Sequence, residues 1–186
     1  MDLTGYYKNQ ATDSKVSSDR KLAEKKAELV KIFEKVKIDS SSGELQVAVL
    51  GCGDMRHVVG NKEIFEDTLG ISCGVTTFDI DTDHLAGQPD VIKHDCTEPL
   101  PQGPFDITFA HVLLKFIPEK KQLNLILNSY NALSPGGLAI HVLDKDDFGP
   151  DKPTVLLNTL LKELQTRGIG FERIPLKYGI ALVLIR

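Results

Sequence analysis

Apolar positions along this chain follow two rhythms, a helical one near the start and short buried runs thereafter. From Asp19 onward, Leu22, Leu29, Val30, Phe33 and Val36 recur at helical spacing while Lys and Glu fill the other face, which predicts an amphipathic helix. Ser17, Ser18 or Asp19 is positioned to cap it, and Ser40-Ser41-Ser42-Gly43 reads as the linker that ends it. Residues 1–18 are polar and are expected to be loosely ordered unless Tyr6 and Tyr7 dock, in which case the pair forms a lid.

Beyond residue 44 strands and helices alternate. Buried strands are predicted over 45–50, 72–79, 90–94, 105–110 and 138–143, with helices over 62–69, 118–133 and 154–167. Pro118 suits the first turn of its helix, and Gly70 and Gly168 close the other two. Segments 171–176 and 180–185 are separated only by Lys177-Tyr178-Gly179, which predicts a hairpin. The alternation implies the α/β class: a doubly wound, mostly parallel seven-stranded sheet, ending in an antiparallel hairpin and preceded by an N-terminal helical extension. The expected division is 1–43 for the extension and 44–186 for the domain.

Composition narrows the function classes. The 186 residues suit one domain, and 41% apolar with 26% charged residues is ordinary for a globular chain. The net charge of −4 is uneven: residues 1–37 hold nine Lys/Arg against six Asp/Glu, and the rest 13 against 20. An acidic body argues against a broad nucleic-acid footprint. Cys52, Cys73 and Cys96 lie beside apolar runs without C-x-x-C spacing and read as reduced thiols. No apolar run reaches the roughly 18 residues of a membrane span, and the start lacks a signal-peptide pattern. A cytoplasmic location and no membrane partner are expected.

In a doubly wound sheet the ligand binds at the carboxyl ends of the strands. The unusual polar residues fall there: Gly51-Cys52-Gly53-Asp54 after the first strand, Asp79 and Asp81 after the second, Asp95 after the third, Ala110-His111 after the fourth. Each aspartate alone reads as a turn or helix cap. Three successive strand ends of the right residue types point to a nucleotide-like ligand.

With Pro104-Phe105-Asp106-Ile107-Thr108-Phe109-Ala110-His111-Val112-Leu113 and Leu133-Ser134-Pro135-Gly136-Gly137-Leu138, the chain over 45–186 resembles the small, Rossmann-like class I S-adenosylmethionine-dependent methyltransferases. The resemblance implies S-adenosyl-L-methionine as cofactor. Gly51, Cys52 and Gly53 would pass beneath its methionine part. Asp79 would accept from the ribose hydroxyls and Ile80 would pack on the adenine. Asp95 and the Cys96 N–H would meet the adenine edge, and Ala110 and His111 would lie along the sulfonium. Asp106 reads as structural.

Two positions depart from the family. The acid expected two residues before the first glycine is Val49, and a third small residue is replaced by Met55-Arg56-His57. Asp54 is then expected to take over part of the missing acid's role. The departures keep a non-catalytic binding or scaffold protein of the same fold as the alternative. A nicotinamide-dinucleotide site ranks lower, since Arg56 stands at its third glycine and Asp79 comes late.

Methyl transfer needs alignment above all, and a base only where the acceptor loses a proton. His111 is the candidate base, and Lys115 is placed to orient an anionic acceptor. No Asn/Asp-Pro-Pro-aromatic run follows the fourth strand, which disfavours methylation of base amines in nucleic acids. Asp144, Asp146 and Asp147 read as a solvated loop rather than a Mg²⁺ site, and His57, His84, His94 and His141 lack zinc spacing. A small-molecule or peptide acceptor is expected, held by the N-terminal segment, residues 111–117 and loop 144–153.

Overall fold

The computed structural model describes residues 14–38, 43–148 and 154–186. In chain order the elements are α1 (Lys15–Phe33), β1 (Glu44–Leu50), α2 (Arg56–Leu69), β2 (Ser72–Asp79), β3 (Val91–Lys93), β4 (Phe105–His111), α3 (Glu119–Asn131), β5 (Leu133–Asp144), α4 (Leu157–Thr166), β6 (Phe171–Pro175) and β7 (Gly179–Ile185). One seven-stranded sheet runs in the order β3-β2-β1-β4-β5-β7-β6. β1 to β5 are parallel, while β7 is inserted antiparallel between β5 and β6. The order reverses between β1 and β4, so the ends of those strands open the crevice where such folds bind ligands.

Val47, Ala48, Val49 and Leu50 are all buried because helices cover both faces of β1. Ala48 and Leu50 join the core under α3 and α4, and Val47 and Val49 join the core with α1 and α2. On that second face Phe65 meets Phe109 edge-on, with centroids 5.4 Å apart. His141 is also buried, donating to or accepting from Ser129 Oγ at 2.7 Å, and burial pushes its pKa down to about 4, leaving a neutral core residue.

α1 starts at Lys15 rather than Asp19, because Ser14 Oγ accepts the Ser17 N–H at 3.1 Å and caps it. Leu29 and Ile32 are fully buried, but Val30 is 41% exposed and lies off the apolar stripe. The helix read as an extension is therefore a layer of the domain. α1 packs closely on α2 at Gly60, where a Cβ would stand 2.7 Å from Leu22 Cδ1. Tyr6 and Tyr7 lie outside the described residues.

α2 begins at Arg56, six residues before the expected start. Asp54 Oδ1 accepts the Arg56 N–H at 2.9 Å and begins the helix through residues too polar to show an apolar period. β5 includes the Ser134-Pro135-Gly136-Gly137 segment, with a register shift between Phe105 and Ile107. The glycines serve that crossing: Gly136 N–H donates to Arg186 O, and a Cβ on Gly137 would lie 2.9 Å from Asp106 O. Asp106 ties the bottom of the sheet together, accepting from Gln46 N at 2.8 Å and Ser134 Oγ at 3.0 Å.

The hairpin is tight at Gly179, where a Cβ would overlap the Leu143 carbonyl group on β5. Gly179→Ala is expected to destabilise the domain by about 3 kcal/mol, since backbone cannot yield as a side chain does. Gly170→Ala, with nothing within 4 Å, is the control. Urea melts of the two variants check this, and equal midpoints would contradict it.

Candidate functional site

Two cavities meet at the carboxyl ends of β1 and β4. The first, about 270 Å³, runs from the glycine turn Gly51–Gly53 across the ends of β2 and β3 to the segment after β4. The second, about 340 Å³, lies between α1, the glycine turn, the β5 end and the β6–β7 hairpin. They share Gly51, Cys52, Gly53, His111, Val112 and Phe116.

The glycine turn is shaped by backbone geometry. Gly51 has φ +77°, and a Cβ there would stand 2.8 Å from Leu113 Cδ1. Asp79, only 4% exposed, holds the turn from β2: its Oδ2 accepts the Cys52 N–H at 2.7 Å and its Oδ1 the Asp81 N–H at 3.1 Å. A His84 ring nitrogen lies 2.7 Å from Cys52 O. Asp79 is thus a clamp between strands one and two at the wall of the first cavity.

Asp95 sits across this cavity. Its Oδ1 accepts from Thr97 N at 2.9 Å and Thr97 Oγ1 at 2.7 Å, while Lys121 Nζ stands 3.4 Å from Oδ2. Burial pulls the carboxyl's pKa upward, but the Thr97 bonds and Lys121 outweigh it and hold Asp95 below the ordinary carboxylate range. Ile80 is 53% exposed at the mouth, an apolar plate on which a flat ring can lie.

Most residues expected at the site are gathered here: Gly51, Cys52, Gly53, Asp79, Ile80, Asp95, Cys96 and His111 all line the first cavity. Ala110 does not. The alternation of β4 turns it into the core under α3 and α4, 2% exposed. Asp54 lines the second cavity instead and is held by Arg56, whose Nε lies 2.9 Å from Oδ1. Burial raises its pKa, and the Arg56 hydrogen bonds reverse that to a net lowering. Val112 and Leu113, expected in the acceptor-holding segment 111–117, line the first cavity too, and Phe78, Thr97 and Lys121 do so without having been expected. Sequence spacing carried no signal for them.

His111 stands at the junction. One ring nitrogen, Nε2, is 2.9 Å from Glu28 Oε2 of α1. A carboxylate only accepts, so Nε2 carries the proton and Nδ1 the free lone pair. Burial lowers the His111 pKa below its ordinary value; the Glu28 hydrogen bond works against that and does not overcome it. The next residue, Val112, adopts φ +55°, a conformation that β-branched residues avoid, and its N–H donates to Val142 O at 2.9 Å. Strain of this kind concentrates at functional sites.

The second cavity includes the expected N-terminal and 111–117 segments and Asp144, with Tyr178 and Gly179 added by the hairpin. Residues 149–153 lie outside the described residues. Lys115, expected to orient an acceptor, lines this cavity with Asp147 Oδ1 at 3.8 Å from its Nζ. Among the described residues no helix is long and apolar enough to cross a membrane, and no group of His, Cys, Asp or Glu could hold a metal ion.

No family model matches the chain, and no curated protein matches its sequence. Solved structures do. The chain is similar to DhpI in its complex with SAM and HEP (15% identity, TM-score 0.62, covering 98% of this chain and 94% of that one). It is similar to a SAM-dependent methyltransferase from Aquifex aeolicus (16%, TM-score 0.63, 100% and 98%) and to the N-methyltransferase NodS from Bradyrhizobium japonicum WM9 (13%, TM-score 0.58, 93% and 97%). The fold is that of the class I S-adenosylmethionine-dependent methyltransferases, with the α/β sheet and C-terminal antiparallel hairpin expected from the sequence.

Proposed function

We propose that the protein is a cytoplasmic S-adenosyl-L-methionine-dependent methyltransferase acting on a small-molecule or peptide acceptor that loses a proton on methylation. The observation that carries this reading is the His111–Glu28 pair at the junction of a nucleotide-shaped cleft and a second, polar cavity. The cleft suits the cofactor: a glycine turn, a buried carboxylate at the end of β2, and the exposed Ile80 in the same cavity as a second carboxylate. DhpI, solved with SAM and HEP together, is a structural neighbour with both a cofactor and a second ligand bound.

When bound, the cofactor would supply an electrophilic methyl carried on a sulfonium sulfur. Asp79 accepts from the ribose, and Asp95 fixes the adenine edge. Glu28 holds the imidazole by Nε2, so Nδ1 of His111 takes the acceptor's proton. The acceptor enters the second cavity from the side of the β5 end and the β6–β7 hairpin, at Asp144 and Tyr178.

Calorimetry with S-adenosylmethionine, S-adenosylhomocysteine, NAD and NADP tests the cofactor. Micromolar heats with the two sulfur nucleotides and none with the dinucleotides are expected; the reverse pattern would overturn the reading. Methyl-labelled cofactor with a panel of phenols, carboxylates, amines and short peptides then tests turnover. A second reading, a cofactor-binding module without catalysis, draws on Val49 at the family's acidic position. It predicts binding with no label transferred.

A further inference from the structure

We propose that Lys25 anchors the α-carboxylate of a ligand lying across the Gly51–Gly53 turn, and thereby selects ligands with an amino-acid end. The inference rests on the cofactor reading above and concerns which residue holds the end of the cofactor remote from the adenine.

Lys25 belongs to α1, is 9% exposed, and lines the second cavity beside Gly51, Cys52 and Gly53. Its Nζ donates to Asn61 Oδ1 at 3.2 Å. Among the described residues no carboxylate lies within ion-pairing distance of it: Asp54 is engaged by Arg56 and Glu28 by His111. A buried ammonium against one neutral oxygen is unfavourable until an anion completes its surroundings. Burial accordingly lowers its pKa, and the nearby Glu28 and Asp54 charges offset this only in part.

The position matches the path of the ligand. A nucleoside seated between Asp79 and Asp95 must pass the shared Gly51–Gly53 wall to place the rest of its chain in the second cavity. Its terminus then arrives between the glycine turn and α1. Lys21 and Lys115 line the same cavity but are half-buried, and Lys25 is the buried ammonium among them. His57 is driven to a pKa of about 4, with burial the first cause, and its Nε2 lies 3.2 Å from Ser18 Oγ, so it is neutral. At the end of β1, where the family pattern puts an acid, Val49 is apolar and 2% exposed. The cation proposed for the carboxylate half of an amino-acid end is supplied by the N-terminal helix.

Calorimetry on the full chain tests this with three probes: S-adenosylhomocysteine, its decarboxylated analogue, and 5′-methylthioadenosine, which lacks the amino-acid end. The wild type is expected to bind S-adenosylhomocysteine roughly tenfold or more tightly than the decarboxylated analogue. Lys25→Met is expected to erase that preference and leave 5′-methylthioadenosine within about twofold, because the adenosine cleft is untouched. Equal losses for all three probes in Lys25→Met would assign Lys25 to the fold and overturn the proposal. A wild type that binds 5′-methylthioadenosine yet ignores the carboxylate overturns this proposal alone, and needs no folded variant. A wild type that binds none of the probes removes the cofactor reading, and this inference with it.

Discussion

Asp79→Ala is expected to weaken S-adenosylhomocysteine binding by roughly a hundredfold or more, since the charged acceptor proposed for the ribose hydroxyls disappears. The same change strips acceptors from the Cys52 and Asp81 N–H groups, which Asp79 holds at 2.7 and 3.1 Å. A stability loss of about 2 kcal/mol accompanies it, because a buried donor is left unpaired. Asp79→Asn keeps one acceptor oxygen and is expected to fall between wild type and alanine on both scales. Calorimetry and urea melts on the same preparations separate the effects. A destabilised variant that binds with unchanged affinity would leave Asp79 as a clamp and remove its ribose role.

His111→Gln is expected to lower kcat on a phenolic or other protic panel acceptor by about 10²–10⁴-fold, the usual range for a lost general base. Affinity for S-adenosylhomocysteine is expected to stay near wild type. The pH profile carries more information. His111 must be neutral to accept a proton, and burial lowers its pKa, so the acid limb of kcat is expected below the ordinary histidine value of 6.5. Activity is full above that limb and falls as pH drops through it. In Glu28→Gln the carboxylate that raises the His111 pKa is gone, so the limb moves to still lower pH while the plateau rate falls. A wild-type rate flat from about pH 5 to 8, with His111→Gln fully active, would make the histidine a wall of the pocket.

The strands were legible because a parallel strand covered on both faces must be apolar throughout, as Val47–Leu50 is. Helix starts were less so. α2 opens on Arg56, His57 and Asn61, which enter a buried polar network and leave no apolar period to read. α1 opens on Ser14, one short side chain among several able to cap. β7 was recognised as half of a hairpin, but its insertion beside β5 follows from pairings such as Ile140 with Val183, far apart in sequence.

The gathering of Gly51, Asp79 and Asp95 at one cavity was legible for a related reason. The sheet's topology sends Gly51, Asp79 and Asp95 to one edge whatever the loops do, so residue type at three strand ends was enough. Ala110 escaped that logic by one residue, because a strand's side chains alternate between faces.

The sequence by itself determined the α/β sheet, its closing hairpin and the carboxylates at the strand ends, since each follows from local period or from position along a strand. Only the tertiary structure decided what stands opposite them. Glu28 reaches His111 across 83 residues, and Lys25 reaches Asn61 across 36. Both meetings follow from the packing of α1 against the domain, where Leu29 and Ile32 are fully buried. Charge on a helix reads as a solvated face until the neighbouring element is known, and here that neighbour turns one side of α1 into the wall of a site.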